Sequence, residues 1–188
     1  MRQALAAPGE DYAFFIALSP AWRAALDAAL AGCGPMWVRR FEFAFDAPAF
    51  AALSDDGQDL PAGCRLVPYD RALVETAGSV PECWGGVDRF LAEGVGYVLL
   101  SGEEPVSRCH SVFVGDGIAE IGVETEEAHH RKGCALRTCR ADIVACLARG
   151  LTPWWSCWDN NAPSVSLAQR LGFRGPTEVP VAILKRPA

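Results

Sequence analysis

The segment EIGVETEEAHHRKGCALRTCRADIVACLARG, Glu120 to Gly150, passes from strand-like alternation through four acids into two histidines, two cations and a glycine, and then becomes helical. A helix that starts near Gly133 leaves the backbone N–H groups of its first turn in need of acceptors. The usual side-chain caps are Ser, Thr, Asp and Asn, and none stands between His129 and Gly133. Gly133 lets a ligand come close to the backbone, Ala135 keeps the wall low, and the helix dipole adds to the charges of Arg131 and Lys132. An anion is the natural missing cap. The same residues also suit a plainer arrangement, with water on the free amides and cations that balance the preceding glutamates.

Other reactive residues point less sharply. His130 and Cys134 are four apart and share a helix face, but His129 projects about 100° away and no second ligand pair follows, so no metal site is expected. The chain has eight cysteines and no CxxC pair, and Cys134, Cys139 and Cys146 fall within one helical segment; reduced, mostly buried thiols are expected. His110, in SRCHS, reads as a core or edge-strand histidine rather than a base. Trp154, Trp155 and Trp158 read as core plus one pocket wall, with Trp158 beside Asp159 at that wall.

These residues need a scaffold, and at 188 residues with 51% apolar content the chain is long enough for a real core. Ser19 to Gly34 reads as a helix with a Ser cap and Pro in its first turn, and Met36 to Phe45 as a strand with Phe41, Phe43 and Phe45 on one face. DAPAFAAL is a short helix, CRLVPYDRALVETAG gives strand, turn and helix, and the glycine- and proline-rich GSVPECWGG, Gly78 to Gly86, marks a subdomain boundary. Beyond it come the helix VDRFLAEG, three hairpin-connected strands, the helix after HHRKG, the strand TPWWSCW, the helix NNAPSVSLAQRLG and the closing strand EVPVAILK. The expected fold is α+β, a mixed and mainly antiparallel sheet flanked by helices, with residues 1–83 as an N-terminal α/β extension and 84–188 as the main domain.

A net charge of −6 argues against nucleic acid as a partner and leans toward a cationic or amine ligand. No apolar run approaches the roughly 20 residues of a membrane span, and the N-terminus meets a proline and two acids before a signal-like core can form. A cytoplasmic location is expected, as a monomer or homodimer.

From Trp84 to Phe173 the chain resembles the GNAT acetyltransferases, and within them the zwittermicin-resistance-type branch. HRKGCA, the strand after it, the Asn of DNNAPS and LAQRLGF come in the family's order. The resemblance implies acetyl-CoA as co-substrate and an amine-bearing small molecule or peptide as acceptor. It implies that the loop His130, Arg131, Lys132, Gly133, Cys134 and Ala135 holds the pyrophosphate through backbone amides, with His130 where the family usually has Arg or Gln. Val123 and Thr125 on the preceding strand would meet the pantetheine arm and polarise the thioester carbonyl. Asn161 would reach the cofactor or serve as a plain helix cap. Glu120 and Glu124 share one strand face and are the candidate bases for an attacking amine. Ala168 stands where the family's proton-donating tyrosine is usual, which leaves Ser164 and Ser166 as candidate donors. That replacement also fits a degenerate module that binds acetyl-CoA without turning it over.

Overall fold

The computed structural model of the chain describes residues 12–17, 19–53, 60–77 and 84–185. Eight strands form one sheet: β1 Tyr12–Ile16, β2 Met36–Phe45, β3 Cys64–Pro68, β4 Gly96–Ser101, β5 Glu104–Gly115, β6 Ile118–Thr125, β7 Thr152–Trp158 and β8 Phe173–Lys185, in the spatial order β1-β8-β2-β7-β6-β5-β4-β3. Every described pairing is antiparallel except β6 with β7. Those two are joined by helix α5, Cys134–Ala148, the strand-helix-strand crossover that the alternation and the helical repeat predict.

The sheet has helices on both faces because its strands alternate. Helix α5, with α2 (Ala47–Ala51) and α6 (Ala162–Arg170), buries Cys139, Ile143, Phe50 and Ala168 against Cys109, Ile121, Trp155 and Phe173. On the opposite face α3 (Arg71–Ala77) and α4 (Val87–Glu93) bring Val74 and Phe90 onto Val98 and Leu100. His110 belongs to this second layer. It is 6% exposed, edge-on to Tyr69 and Phe90, and burial lowers its pKa to about 4, so it is a neutral core residue as the sequence suggests.

Caps set the helix starts. Ser19 accepts from Trp22 N–H to open α1 (Pro20–Ala29), Asp46 from Ala49 N–H to open α2, and Asn161 from Ser164 N–H to open α6. Each is followed by proline in the first turn, where its missing N–H costs nothing. Gly172, after α6, has φ +86° and lies so close to α2 that a Cβ would stand 2.9 Å from Phe50 N. Only glycine lets β8 leave α6 at that angle.

The sheet does not divide at residue 84. Strand β2 lies between β7 and β8, and β3 pairs with β4, so residues before 84 contribute to the same hydrogen-bonded order as those after it. The expected joint falls mostly on residues 78–83, outside the described ones. Two further differences are local. β1 has no counterpart in the sequence reading, and β8 begins at Phe173 instead of near Glu178, because Arg174 and Thr177 already pair with Ala44 and Glu42 across a bulge despite the intervening glycine and proline.

One buried carboxyl stands out. Asp142 on α5 is 0% exposed, accepts only a long bond from Cys146 Sγ (3.7 Å), leaves Oδ1 without a partner, and is pushed up to about 7 by burial. Between 3.8 and about 7 the folded chain keeps a proton that the unfolded chain releases, so stability falls as pH rises through that window. Asp142→Asn should flatten the fall and leave the variant more stable than wild type at about pH 8, measured as urea midpoints across pH. Parallel curves for the two proteins would contradict the assignment.

Candidate functional site

The ladder between β6 and β7 is short. Ile118, Ala119 and Glu120 pair with Thr152, Pro153 and Trp154, and there the pairing ends although β6 runs on to Thr125 and β7 to Trp158. Each strand keeps a partner on its outer side only: β5 holds Ile121 to Thr125, and β2 holds Trp155 to Trp158. A bulge in β5 between Ser111 and Phe113 faces the point where the ladder stops. Bulges bend and twist the strand that carries them, and this one lies where β6 and β7 part. Glu126 N–H donates to Val106 O on β5, so by antiparallel alternation the N–H and C=O groups of Val123 and Thr125 turn the other way, into the opening.

Beside the opening the chain turns from β6 into α5. A 3₁₀ turn at Glu127–His129 is followed by His130, whose Nε2–H donates to Thr125 O at 2.8 Å. The imidazole thus fastens the loop to the strand end; what His130 gives the loop is position. Arg131 and Gly133 both take left-handed backbone angles, φ 59° and 75°. Helix α5 then starts with no side-chain cap, and its first intrahelical bond is Arg137 N–H to Gly133 O. The amides at 133–136 therefore have no acceptor within the helix. Arg131 and Lys132 are exposed, Cys134 is buried with its thiol pushed up by burial, and Ala135 is half-buried. The loop offers amides and charge, and its cysteine offers no reactive sulfur.

The two candidate bases differ. Glu120, half-buried on the last rung of the ladder, accepts Ser156 Oγ–H at 2.7 Å, and Ser156 Oγ accepts Arg40 Nη2–H at 2.6 Å. Arg40 lies over the ring of Trp158, 4.7 Å from its centroid. Glu124 shares the strand face but is exposed and stands opposite Arg108, which is paired with Glu126 at 2.7 Å. Thr125 Oγ1 is hydrogen-bonded to Ser107 Oγ.

Helix α6 covers the other face of β7. Ser164 Oγ accepts Trp155 Nε1–H at 3.1 Å, which fixes it against the strand, and Asn161 Oδ1 caps the helix. Ser166 is exposed, roughly 200° further round the helix at 3.6 residues per turn, so the two candidate donors are not neighbours. Ala168 is 0% exposed in the core cluster that holds Trp155 and Phe173, where the added bulk of a tyrosine ring would displace its neighbours. Among the described residues no three His, Cys, Asp or Glu side chains converge as metal ligands. No helix among them is long and apolar enough to cross a membrane.

Arg40 and Ser156 escape the sequence reading. Ser156 alternates with Trp154 and Trp158 in WWSCW, so its face was legible, but nothing near it announces a pairing with β2, more than a hundred positions earlier in the chain.

A sheet opened at its parallel pair, with an uncapped positive helix start at the mouth, is the geometry to set beside known proteins. The family model described as GNAT acetyltransferase matches residues 2–181, and the chain belongs to that family. It is 30% identical over 146 residues to the uncharacterized N-acetyltransferase YdfB of Bacillus subtilis (strain 168), covering 75% of this chain and 54% of that one, so it spans about half the relative's length. The crystal structure of a GCN5-related N-acetyltransferase-like protein from Streptococcus suis matches with a TM-score of 0.70 and 28% identity over 92% of this chain and 71% of that one. A GCN5-related N-acetyltransferase from Kribbella flavida shares the fold, at a TM-score of 0.61 and 20% identity, over 94% of this chain and 68% of that one. The mixed α+β fold of these neighbours is the one expected from the sequence.

Gly133→Glu places a side chain at φ 75° and a negative charge on the free amides, with its Cβ meeting only the movable end of Arg137. It should lower CoA affinity more than tenfold in a calorimetric titration while the circular dichroism spectrum stays that of wild type. An unchanged affinity in the folded variant would show that the loop holds no anion.

Proposed function

We propose that this chain moves the acetyl group of acetyl-CoA to a primary amine of a small molecule or peptide by direct attack, as a member of the zwittermicin-resistance-type branch of its family. The observation that carries the reading is the opened β6–β7 pair, whose free edge at Val123 and Thr125 leads to the uncapped start of α5. The residues present fit the co-substrate: amides 133–136 with Arg131 and Lys132 suit a pyrophosphate, and the strand edge suits a chain of amides such as pantetheine. Free thiols at all seven described cysteines suit a reducing compartment, and we place the protein in the cytoplasm.

Acetyl-CoA supplies the electrophilic thioester. Glu120 takes the proton of the incoming ammonium, because only the neutral amine attacks, and Ser156 holds its carboxylate at the mouth of the opening. The Thr125 amide donates to the thioester oxygen as negative charge builds there. As the C–N bond forms and the C–S bond breaks, the amine's second proton passes through water, by way of Ser164 or beside it, to the departing thiolate, so the serine ends as it began. A thiolate with a pKa near ~8.5 leaves tolerably at neutral pH, so a weak donor costs rate without abolishing it. The exposed Glu124 and Ser166 take no direct part. Residues before 84 shape the acceptor side through β2, which carries Arg40 to Glu120 by way of Ser156.

The filled core at Ala168 favours a second reading, a module that binds acetyl-CoA without turnover. Thiol release from acetyl-CoA over a panel of amines between about pH 6 and 9 separates the two. On the catalytic reading Glu120→Gln lowers turnover by ~10²-fold or more and leaves CoA affinity intact, whereas Glu124→Gln does neither. Wild-type turnover should rise with pH as the base loses its proton. Equal losses in both Gln variants would remove Glu120 from the role.

A further inference from the structure

Arg40 differs from Arg39, the other cation that β2 presents. Its neighbour Arg39 pairs with both Asp159 (3.0 Å) and Glu178 (3.3 Å), whereas Arg40 has no carboxylate within ion-pair distance among the described residues. Its recorded partners are the Ser156 hydroxyl and the Trp158 ring. Ser156 has no further proton to give in this arrangement, since its one proton goes to Glu120 while its oxygen receives Arg40. A guanidinium has five N–H donors, and among the described residues only one of Arg40's is engaged, that to Ser156, on a half-buried face of the sheet. Stacking on Trp158 holds their plane still, the state in which an arginine binds a carboxylate through two parallel bonds.

The spacing defines what fits. Arg40 and Glu120 stand two hydrogen-bond lengths apart across one serine oxygen. A molecule whose amine meets Glu120 and whose anionic group meets Arg40 has the two only a few bonds apart, a spacing that groups on the same or adjacent carbons match. Trp154 and Trp158 flank Ser156 on the same strand face, with Phe113 edge-on to Trp154 and Phe14 beside Trp158, and give apolar walls for the rest of that molecule. From this we infer that Arg40 is a specificity-determining residue, and that the acceptor is a free α- or β-amino acid with an apolar side chain. A protein N-terminus or a polyamine lacks the adjacent carboxylate. The inference rests on Glu120 as the base and goes beyond it by naming the substrate class.

The test compares L-amino acids with their own amides and decarboxylated amines in the thiol-release assay, for wild type, Arg40→Met and Arg40→Lys, with CoA affinity measured alongside. Wild type should favour the free acids more than tenfold in kcat/KM. Arg40→Met should lower kcat/KM for the acids more than tenfold, chiefly through KM, and close the gap between acid and amide, while Arg40→Lys restores part of it. Equal or better turnover of carboxylate-free amines by wild type overturns the inference alone, and needs no variant to fold. A loss in Arg40→Met that is the same for acid and amide also overturns it, since Arg40 then only props Ser156. No acetylation of any amine overturns both this inference and the catalytic reading.

Discussion

Everything at the site depends on the place where β6 and β7 stop pairing. Three rungs, from Ile118 to Glu120, hold the strands together at one end. Beyond them each backbone is committed to an outer neighbour, so the inner edges separate without leaving either strand unsupported. A sheet normally fills such a gap, because unpaired backbone groups need partners. Here the opening keeps its groups available to a ligand. The cost of an exposed edge is limited by the shortness of the free stretch and by the His130 bond to Thr125 O, which caps its far end.

The separation also sorts the chemistry by face. Alternation turns Glu120, Trp154, Ser156 and Trp158 to one side, and Trp155 and Cys157 to the other, where α6 and α5 bury them. The carboxylate and the arginine chain that reaches it thus lie across the sheet from Ser164, with the opening between them. The chain carries −6 overall, yet its positive features are local: an uncapped helix start with Arg131 and Lys132, and Arg40 on its tryptophan. Local potential at a helix terminus or a stacked guanidinium acts over a few ångströms, so the net charge does not oppose it.

Much of this was legible from local pattern. The missing cap before Gly133, the caps at Ser19 and Asn161, and the period-two run from Ile118 to Thr125 are statements about neighbours in sequence, and the structure keeps them. Long-range pairing was not. Strand β2 reads as a strand because its phenylalanines alternate, but no residue in it says that it will lie between β7 and β8, so the Arg40 bond to Ser156 was invisible. Strand β1 was missed because five residues of mixed exposure give alternation little to act on. Parity alone puts Glu120 and Glu124 on one face and gives them the same surroundings; the Ser156 hydroxyl bonded to Glu120 is a difference that arrives only through the crossover.

The central claim is that the free edge of β6 and the start of α5 together form one binding surface. Amide hydrogen exchange with and without CoA tests it without relying on a variant or on turnover. Saturating CoA should slow exchange at Val123 and Thr125 and through residues 131–136, with β3 and α3 unchanged. Unaltered exchange across 121–136 in the presence of bound CoA would contradict it.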